Sequence, residues 1–279
     1  EIRLKAIQVA SELWRRPGDI GSIVRRELGN GAMQDIRVRY LASIEDRYVE
    51  SIEILVPEQV AETIPVADQD LFWITGGMGG LALLVAADLI QRGARNIFLT
   101  GRSGLTPERK RKLQALTKSR SNAEVTVEYH QVDVTRSDDV EKIVKLIKER
   151  KLHLKGVMHA AGVIHDALME KKTTGQIHTV LSPKVQGLAN MDNFTKDEKL
   201  DYFVLFSSMA SITGNIGQCD YAFANGFLDG FARYRNKMVK DGSRHGKTIS
   251  INWPYWEEGG MALDKRLQQS MKEQSGLVP

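Results

Sequence analysis

Two hydroxyls, a carboxamide and an amine are the groups of this chain whose spacing suits chemistry. Phe206-Ser207-Ser208-Met209-Ala210 follows a strand-like run, so the Ser208 hydroxyl sits at that strand's carboxyl end. Tyr221 comes thirteen residues later and Asn225 four after that. A spacing of four on a helix turns both side chains the same way, so Tyr221 can point at a carbonyl that Ser208 also holds. Reducing a carbonyl takes a hydride donor and a proton donor for the developing alkoxide. A phenol is a weak acid, with an ordinary pKa of about 10. A nearby ammonium and a cationic nicotinamide ring favour its phenolate, and a fall of about three units is worth roughly 4 kcal/mol. Lys184, in Ser182-Pro183-Lys184-Val185-Gln186-Gly187, is the candidate ammonium. Ser208 also serves as a preorganised donor of the oxyanion type. Taken singly, Ser, Tyr and Lys read as surface or core residues; their joint placement at one edge carries the catalytic reading.

A second group of residues suits a dinucleotide. Phe72-Trp73-Ile74-Thr75-Gly76-Gly77-Met78-Gly79-Gly80-Leu81-Ala82 sets a glycine-rich turn between a strand and a helix. Such a turn brings backbone N–H groups and a helix N-terminus against a pyrophosphate. The next strand ends Leu99-Thr100-Gly101-Arg102-Ser103-Gly104. An NAD site usually offers a carboxylate there; Arg102 and Ser103 instead suit the 2′-phosphate of NADPH. Asp133 and Val134 close the third strand, where an adenine amino group can be met, although Asp133 equally suits a cap for the helix near Ser137. His159-Ala160-Ala161-Gly162 ends the fourth strand, and the small residues allow close approach of a ribose or nicotinamide; His159 reads as a satisfied turn residue.

These residues need a scaffold that gathers strand ends. From residue 70, strand-like runs at 71–75, 96–100, 124–132, 154–159, 202–206 and 247–252 alternate with helix-like stretches at 79–92, 106–119, 137–150, 173–194 and 218–240. That alternation predicts an α/β fold, a Rossmann-like doubly wound parallel sheet covered on both faces. Residues 1–67 read differently. Short helices fit 6–16 and 20–29, half-buried strands fit 35–41 and 47–56, and Pro57 and Pro65 punctuate the exit. Two domains are expected: a partial structural subdomain over 1–67 and a catalytic NADPH-binding subdomain over 68–279.

Composition narrows the classes. The chain has 279 residues, 42% hydrophobic and 27% charged, with a formal charge of +4. The basic cluster Arg109-Lys110-Arg111-Lys112 lacks interleaved aromatics, so it reads as a solvated helix start and not as a nucleic-acid site. The single cysteine, Cys219, rules out an internal disulfide and fits a reducing, cytoplasmic compartment. No apolar run is long enough to cross a bilayer, the histidines show no metal spacing, and no signal peptide is apparent. The opening Glu1-Ile2-Arg3, without Met, suggests a piece of something longer.

These motifs resemble the ketoreductase domain of modular polyketide synthases, in the short-chain dehydrogenase/reductase superfamily. Thr75-Gly76-x-x-x-Gly80-x-Ala82 is similar to the superfamily's T-G-x-x-x-G-x-G motif except at Ala82, which crowds the helix–strand contact. Ser208 and Tyr221 match the family's serine and tyrosine. Asn225 stands where free-standing members carry lysine, and Lys184, 24 residues before Ser208, stands where polyketide and animal fatty acid synthase ketoreductases carry theirs. The resemblance implies NADPH-dependent reduction of a β-ketoacyl thioester on an acyl carrier protein bearing phosphopantetheine, beside neighbouring synthase domains. It implies that Lys184 and Asn225 support a proton relay. It also makes residues 35–56 the last strands of a truncated subdomain, and Trp253–Met261 the approach to a substrate lid. B-type relatives, which give the D-configured hydroxyl, carry a leucine-aspartate-aspartate motif. Val163-Ile164-His165-Asp166 keeps its last aspartate as Asp166, and 209–220 lack the tryptophan of A-type relatives, so a B-type outcome is expected. The competing readings are a fatty acid synthase ketoreductase, a free-standing short-chain reductase, and a scaffold module that has lost reduction.

Overall fold

An apolar run without polar alternation belongs in a strand buried on both faces, and Leu71-Phe72-Trp73-Ile74 forms the middle of such a strand, Asp70–Thr75, buried at every position. It lies inside a six-stranded sheet. The computed structural model describes residues 2–4, 38–40, 47–49, 52–54, 66–117 and 125–254. Two compact units make up the chain, Glu1–Glu62 and Thr63–Pro279.

In the first unit β1 (Ile2–Leu4) pairs antiparallel with β4 (Ile52–Ile54), and β2 (Val38–Tyr40) pairs antiparallel with β3 (Arg47–Val49). The helices expected at 6–16 and 20–29, and the flanks of the expected strands, lie outside the described residues.

In the second unit, strands and helices alternate as β5 (Asp70–Thr75), α1 (Gly80–Gln91), β6 (Asn96–Gly101), α2 (Pro107–Thr117), β7 (Thr126–Gln131), α3 (Ser137–Glu149), β8 (His153–His159), α4 (Thr174–Phe194), β9 (Tyr202–Ser208), α5 (Ala210–Thr213), α6 (Cys219–Lys240) and β10 (Lys247–Trp253). The six strands form one sheet in the order β10-β9-β8-β5-β6-β7, every neighbouring pair parallel. This is the doubly wound order, and it reverses between β5 and β8. A crevice opens outside the carboxyl ends of the strands at such a reversal.

Two apolar clusters flank the sheet. One holds Trp73, Phe98, Val157, Phe203 and Leu205 with the inner faces of α3, α4 and α6. The other holds Phe72, Ile74, Ile97 and Leu99 with α1. Ala82 is buried in the second cluster, so the methyl expected to crowd this contact is packed into the core. The helix α4 buries Val180, Pro183, Lys184, Gly187, Leu188 and Met191, a stripe of helical period. Lys184 therefore faces inward by its place in the repeat. The helix is started by a capping box in which Thr173 accepts from the Gln176 N–H and Gln176 answers at the Thr173 N–H, a cap worth about 1 kcal/mol. The stretch 255–261, expected to approach a lid, lies outside the described residues.

Candidate active site

The turn after β5 is shaped for close approach. Gly76 has φ +64°, and a Cβ there would stand 2.7 Å from the Ala160 carbonyl oxygen; one on Gly77 would stand 2.6 Å from Leu99 Cβ. Only glycine fits at either place. The Gly79 N–H closes the turn onto the Gly76 carbonyl at 2.8 Å, and Met78 packs beside the α1 core. Gly79 caps α1 without a side-chain bond, and the first turn from Gly80 carries no acidic residue. The positive end of that helix is thus left for an anion.

Thr75 and His159 join this turn to α4, the helix that carries Lys184. The Ala161 N–H donates to Thr75 Oγ1 at 3.3 Å, and Ala160 N–H to the Thr75 carbonyl at 3.2 Å. Thr75 Oγ1 is 2.8 Å from His159 Nδ1, and His159 Nε2 is 3.0 Å from the Pro183 carbonyl. A carbonyl only accepts, so Nε2 carries the proton and Nδ1 accepts from the threonine hydroxyl. Burial is the main cause that pushes the His159 pKa down to about 3, with the Lys184 charge acting in the same direction. The ring is a neutral brace, and its partner Pro183 immediately precedes Lys184.

Lys184 is 3% exposed. Its Nζ donates to the Phe206 carbonyl at 2.7 Å and lies 5.8 Å from the centroid of the Tyr221 ring. Its Cε lies 3.0 Å from where a Cβ on Gly162 would stand, so the small residues after β8 and the buried amine share one space. Desolvation pulls its pKa down to about 7, opposed by the carboxylate of Asp229. Tyr221 and Asn225 lie on the buried face of α6. Asn225 Nδ2 donates to the Tyr221 carbonyl at 2.8 Å, while its buried Oδ1 meets no donor among the described residues. Ser208 ends β9, and its Oγ accepts from the Ala210 N–H at 3.2 Å. Lys184, Ser208, Tyr221 and Asn225 are thus gathered at the carboxyl edge.

The phenol's acidity departs from the sequence expectation. The Tyr221 pKa is raised, because burial outweighs the lowering by the Ser208 and Asn225 side chains, and the charge of Asp166 adds to the rise. Lys184 is not what moves it. The amine is itself desolvated, so the protein alone holds the phenol protonated.

Asp166 is neither loose nor a simple turn cap. Gln218 Nε2 donates to its Oδ1 at 3.0 Å, and the Ala167 N–H donates to the Gly217 carbonyl at 3.1 Å. Below this seam Lys172 Nζ donates to Asp220 Oδ2 at 2.9 Å, with the two side chains only 0% and 2% exposed. Asp220 Oδ1 in turn accepts the Tyr221 N–H at 2.9 Å. The loop bearing Asp166 is therefore tied to the residues just before Tyr221.

At the other end of the crevice, the loop after β6 is held by its carbonyls. Gln131 Nε2 donates to the Arg102 carbonyl at 2.9 Å, the Tyr129 hydroxyl bonds the Ser103 carbonyl at 2.5 Å, and Arg109 Nη1 donates to the Gly104 carbonyl at 3.4 Å. Asp133 does not cap α3: the N-cap is Arg136, without a side-chain bond. Asp133 Oδ1 instead accepts from the Thr135 N–H and hydroxyl, at 3.0 and 2.8 Å, a local turn that competes with capping. Val134 is buried against α4.

Residues 71–258 match the model of the family described as KR domain. The chain belongs to the KR domain family of polyketide synthases. It is 38% identical over 242 residues to the polyketide synthase PksN of Bacillus subtilis, covering 86% of this chain and 4% of that protein. It is 33% identical over 238 residues to a phenolphthiocerol/phthiocerol polyketide synthase subunit of Mycobacterium tuberculosis, covering 85% of the chain and 12% of the relative. The chain thus spans a small part of the relatives it matches. Among solved structures, a ketoreductase domain from the bacillaene assembly line superposes with a TM-score of 0.82 at 36% identity, over 94% of this chain and 60% of the other. A short-chain dehydrogenase/reductase from Brucella melitensis, at 17% identity and TM-score 0.57, shares the fold over 74% of this chain and 78% of the other. The KR domain is an oxidoreductase by class.

Several residues that shape the KR domain site escaped the sequence reading: Lys172, Gln218, Asp220 and Asp229. Only Asp229 left a signal, four residues beyond Asn225 and eight beyond Tyr221 on one helix. Among the described residues, no group of histidine, cysteine and carboxylate side chains is arranged to hold a metal ion, and no helix is long and apolar enough to cross a membrane.

Proposed function

We propose that this domain reduces the β-keto group of an acyl chain carried as a thioester on the phosphopantetheine arm of an acyl carrier protein, using NADPH and giving the D-configured, B-type hydroxyl, in polyketide biosynthesis. The observation that carries the reading is Lys184 Nζ lying 5.8 Å from the Tyr221 ring centroid, beside a turn in which only glycine fits. Residues 1–67 then read as part of a structural subdomain, and neighbouring synthase domains as partners in the longer protein.

The residues present fit a dinucleotide. The cradle at Gly76 and Gly77 has no room for a Cβ, and the acid-free N-terminus of α1 favours a pyrophosphate. Thr75, Gly76, Gly77, Met78, Gly79 and Gly80 would hold the phosphates, Ala160, Ala161 and Gly162 the nicotinamide side, and Asp133 and Val134 the adenine. Arg102 and Ser103 would meet the 2′-phosphate. Bound NADPH supplies the hydride.

The chain's own residues do the rest. The Ser208 hydroxyl donates to the keto oxygen and fixes it. Tyr221, held protonated by burial, donates to the same oxygen and releases its proton as charge develops there. The ammonium of Lys184 favours the phenolate left behind. The Oδ1 of Asn225, which meets no donor among the described residues, accepts from a water that returns a proton to Tyr221. Asp166, held by Gln218, borders the keto group and biases which face is presented.

The test is NADPH oxidation with a β-ketoacyl N-acetylcysteamine thioester, followed by determination of product chirality. The expected product is the D-configured alcohol, and Tyr221→Phe should lose most turnover while binding NADPH with nearly unchanged affinity. An exclusively L-configured product overturns the B-type assignment. Failure of the wild-type domain to consume NADPH overturns the reduction itself.

A further inference from the structure

Asp229 lies on α6 one turn beyond Asn225 and two beyond Tyr221, so the three side chains share one side of the helix. Its carboxylate collects three donors. Ser250 Oγ reaches Oδ1 at 2.6 Å, while Ser211 Oγ and Asn252 Nδ2 reach Oδ2 at 2.6 and 3.0 Å. Asn252 Nδ2 also lies 3.2 Å from Ser207 Oγ and 3.3 Å from the Ser208 carbonyl. Ser207 Oγ donates to the Asn225 carbonyl at 3.2 Å. One carboxylate thus ties the end of β9, the start of α5, the end of β10 and the catalytic helix into one polar cluster behind Ser208.

We propose that Asp229 is a positioning residue of this centre: it clamps the β9–α5 junction that carries Ser208 to the helix that carries Tyr221, and it places a negative charge on the side of that helix shared with Tyr221, whose ring lies 5.8 Å from the Lys184 amine. The clamp stands on the hydrogen bonds alone; the link to catalysis rests on the reductase reading above. A buried amine with only a carbonyl for a partner loses its proton unless an opposite charge faces it. The titratable groups around Lys184 are few. His159 on β8 is neutral, and Tyr221 on α6 keeps its proton, with Asp166 acting on that phenol from the loop after β8. Among the described residues, Asp229 is the carboxylate whose charge favours the ammonium.

The experiment follows the Lys184 amine directly in the full chain, by 13Cε NMR of labelled lysine, with the resonance assigned by its loss in Lys184→Met. In Asp229→Asn the titration midpoint should fall by about one pH unit, the size expected for losing one opposite charge in a partly solvated centre. Asp229→Ser keeps a hydroxyl for Asn252 and gives the same reading if the asparagine variant folds poorly. Ser250→Ala removes a donor but leaves the carboxylate, so its midpoint should stay near that of the wild type. A wild-type midpoint in both Asp229 variants overturns the proposal, as does an equal fall in Ser250→Ala. The alkaline limb of kcat/KM should move with the midpoint. If the midpoint falls while even the wild-type domain reduces no β-ketoacyl thioester, Asp229 keeps its role toward Lys184 and the reductase reading fails instead.

Discussion

The Nζ of Lys184 stands over the Tyr221 ring at 5.8 Å from its centroid, yet its hydrogen bond goes to the Phe206 carbonyl at 2.7 Å. The amine is therefore anchored to the strand that delivers Ser208, and in the proposed reaction its charge is what it would offer the phenolate. Replacing it by an apolar chain of similar length separates charge from packing. Lys184→Met should lower kcat by roughly a hundredfold, within the range for losing a group that assists proton transfer. NADPH affinity, measured by fluorescence titration, should change little. The pH dependence of stability should change as well. With a folded pKa of about 7 against 10.5 for the free side chain, the unfolded chain holds more protons than the folded one between those values. Wild-type stability thus gains from this group as pH rises through that window. Denaturant titrations should find Lys184→Met more favoured relative to wild type at pH 6 than at pH 9, by about 2–3 kcal/mol. A difference independent of pH would show that the amine is not strongly desolvated.

His159 gives a second pH signature, at the acid end. Its folded pKa of about 3 lies below the 6.5 of the free ring, so between these values the unfolded chain again holds more protons. The contribution is complete above about pH 6.5 and is lost as pH falls toward 3, at most on the order of 4–5 kcal/mol. His159→Gln keeps a donor for Pro183 and an acceptor for Thr75 but does not titrate. It should be less stable than wild type at pH 7 and lose less between pH 7 and 4, as read from thermal midpoints. Parallel acid losses in the two proteins would remove His159 as a buried neutral brace.

The parts of this protein legible in its sequence are those written in local patterns. The runs 71–74 and 202–206 are apolar or aromatic throughout because both sheet faces are covered, and their strands appear as β5 and β9. Gly76 and Gly77 stand out because a Cβ has no room there. Tyr221 and Asn225 are readable because one helical turn separates them. The direction of the Tyr221 pKa was not legible. It depends on how deeply the ring is buried and on the charge of Asp166, and Asp166 is brought to the ring from 55 positions away in the sequence. Lys172 and Asp220 were invisible for the same reason: 48 positions separate them, and nothing local marks either as half of an ion pair.

Arg102 decides between the two nicotinamide cofactors if it meets the 2′-phosphate. Its loop is pinned by Gln131, Tyr129 and Arg109, so the side chain can be removed without releasing the backbone. Arg102→Ala should weaken NADPH binding about tenfold or more, the loss of a charge-assisted bond worth roughly 1.5–3 kcal/mol. Affinity for NADH should stay within about twofold. Isothermal titration with both cofactors checks this; equal losses for the two would place Arg102 away from the 2′ position.

Lys172 and Asp220 form an ion pair almost without solvent, beside the residue proposed as proton donor. Removing one partner from a buried pair leaves an uncompensated charge and costs about 3–5 kcal/mol, whereas neutralising both costs far less. Lys172→Met should therefore be strongly destabilised, and Lys172→Met/Asp220→Asn should recover much of the loss, because asparagine still accepts the Tyr221 N–H without a stranded charge. Lys172 also donates to the His165 carbonyl, next to Asp166, so the double variant loosens the loop proposed to choose the face of the keto group. Chiral analysis of its product should show a mixture of alcohols where wild type gives one. Recovered stability with unchanged product chirality would mean that the pair holds the fold alone, and that Gln218 suffices to keep Asp166 in place.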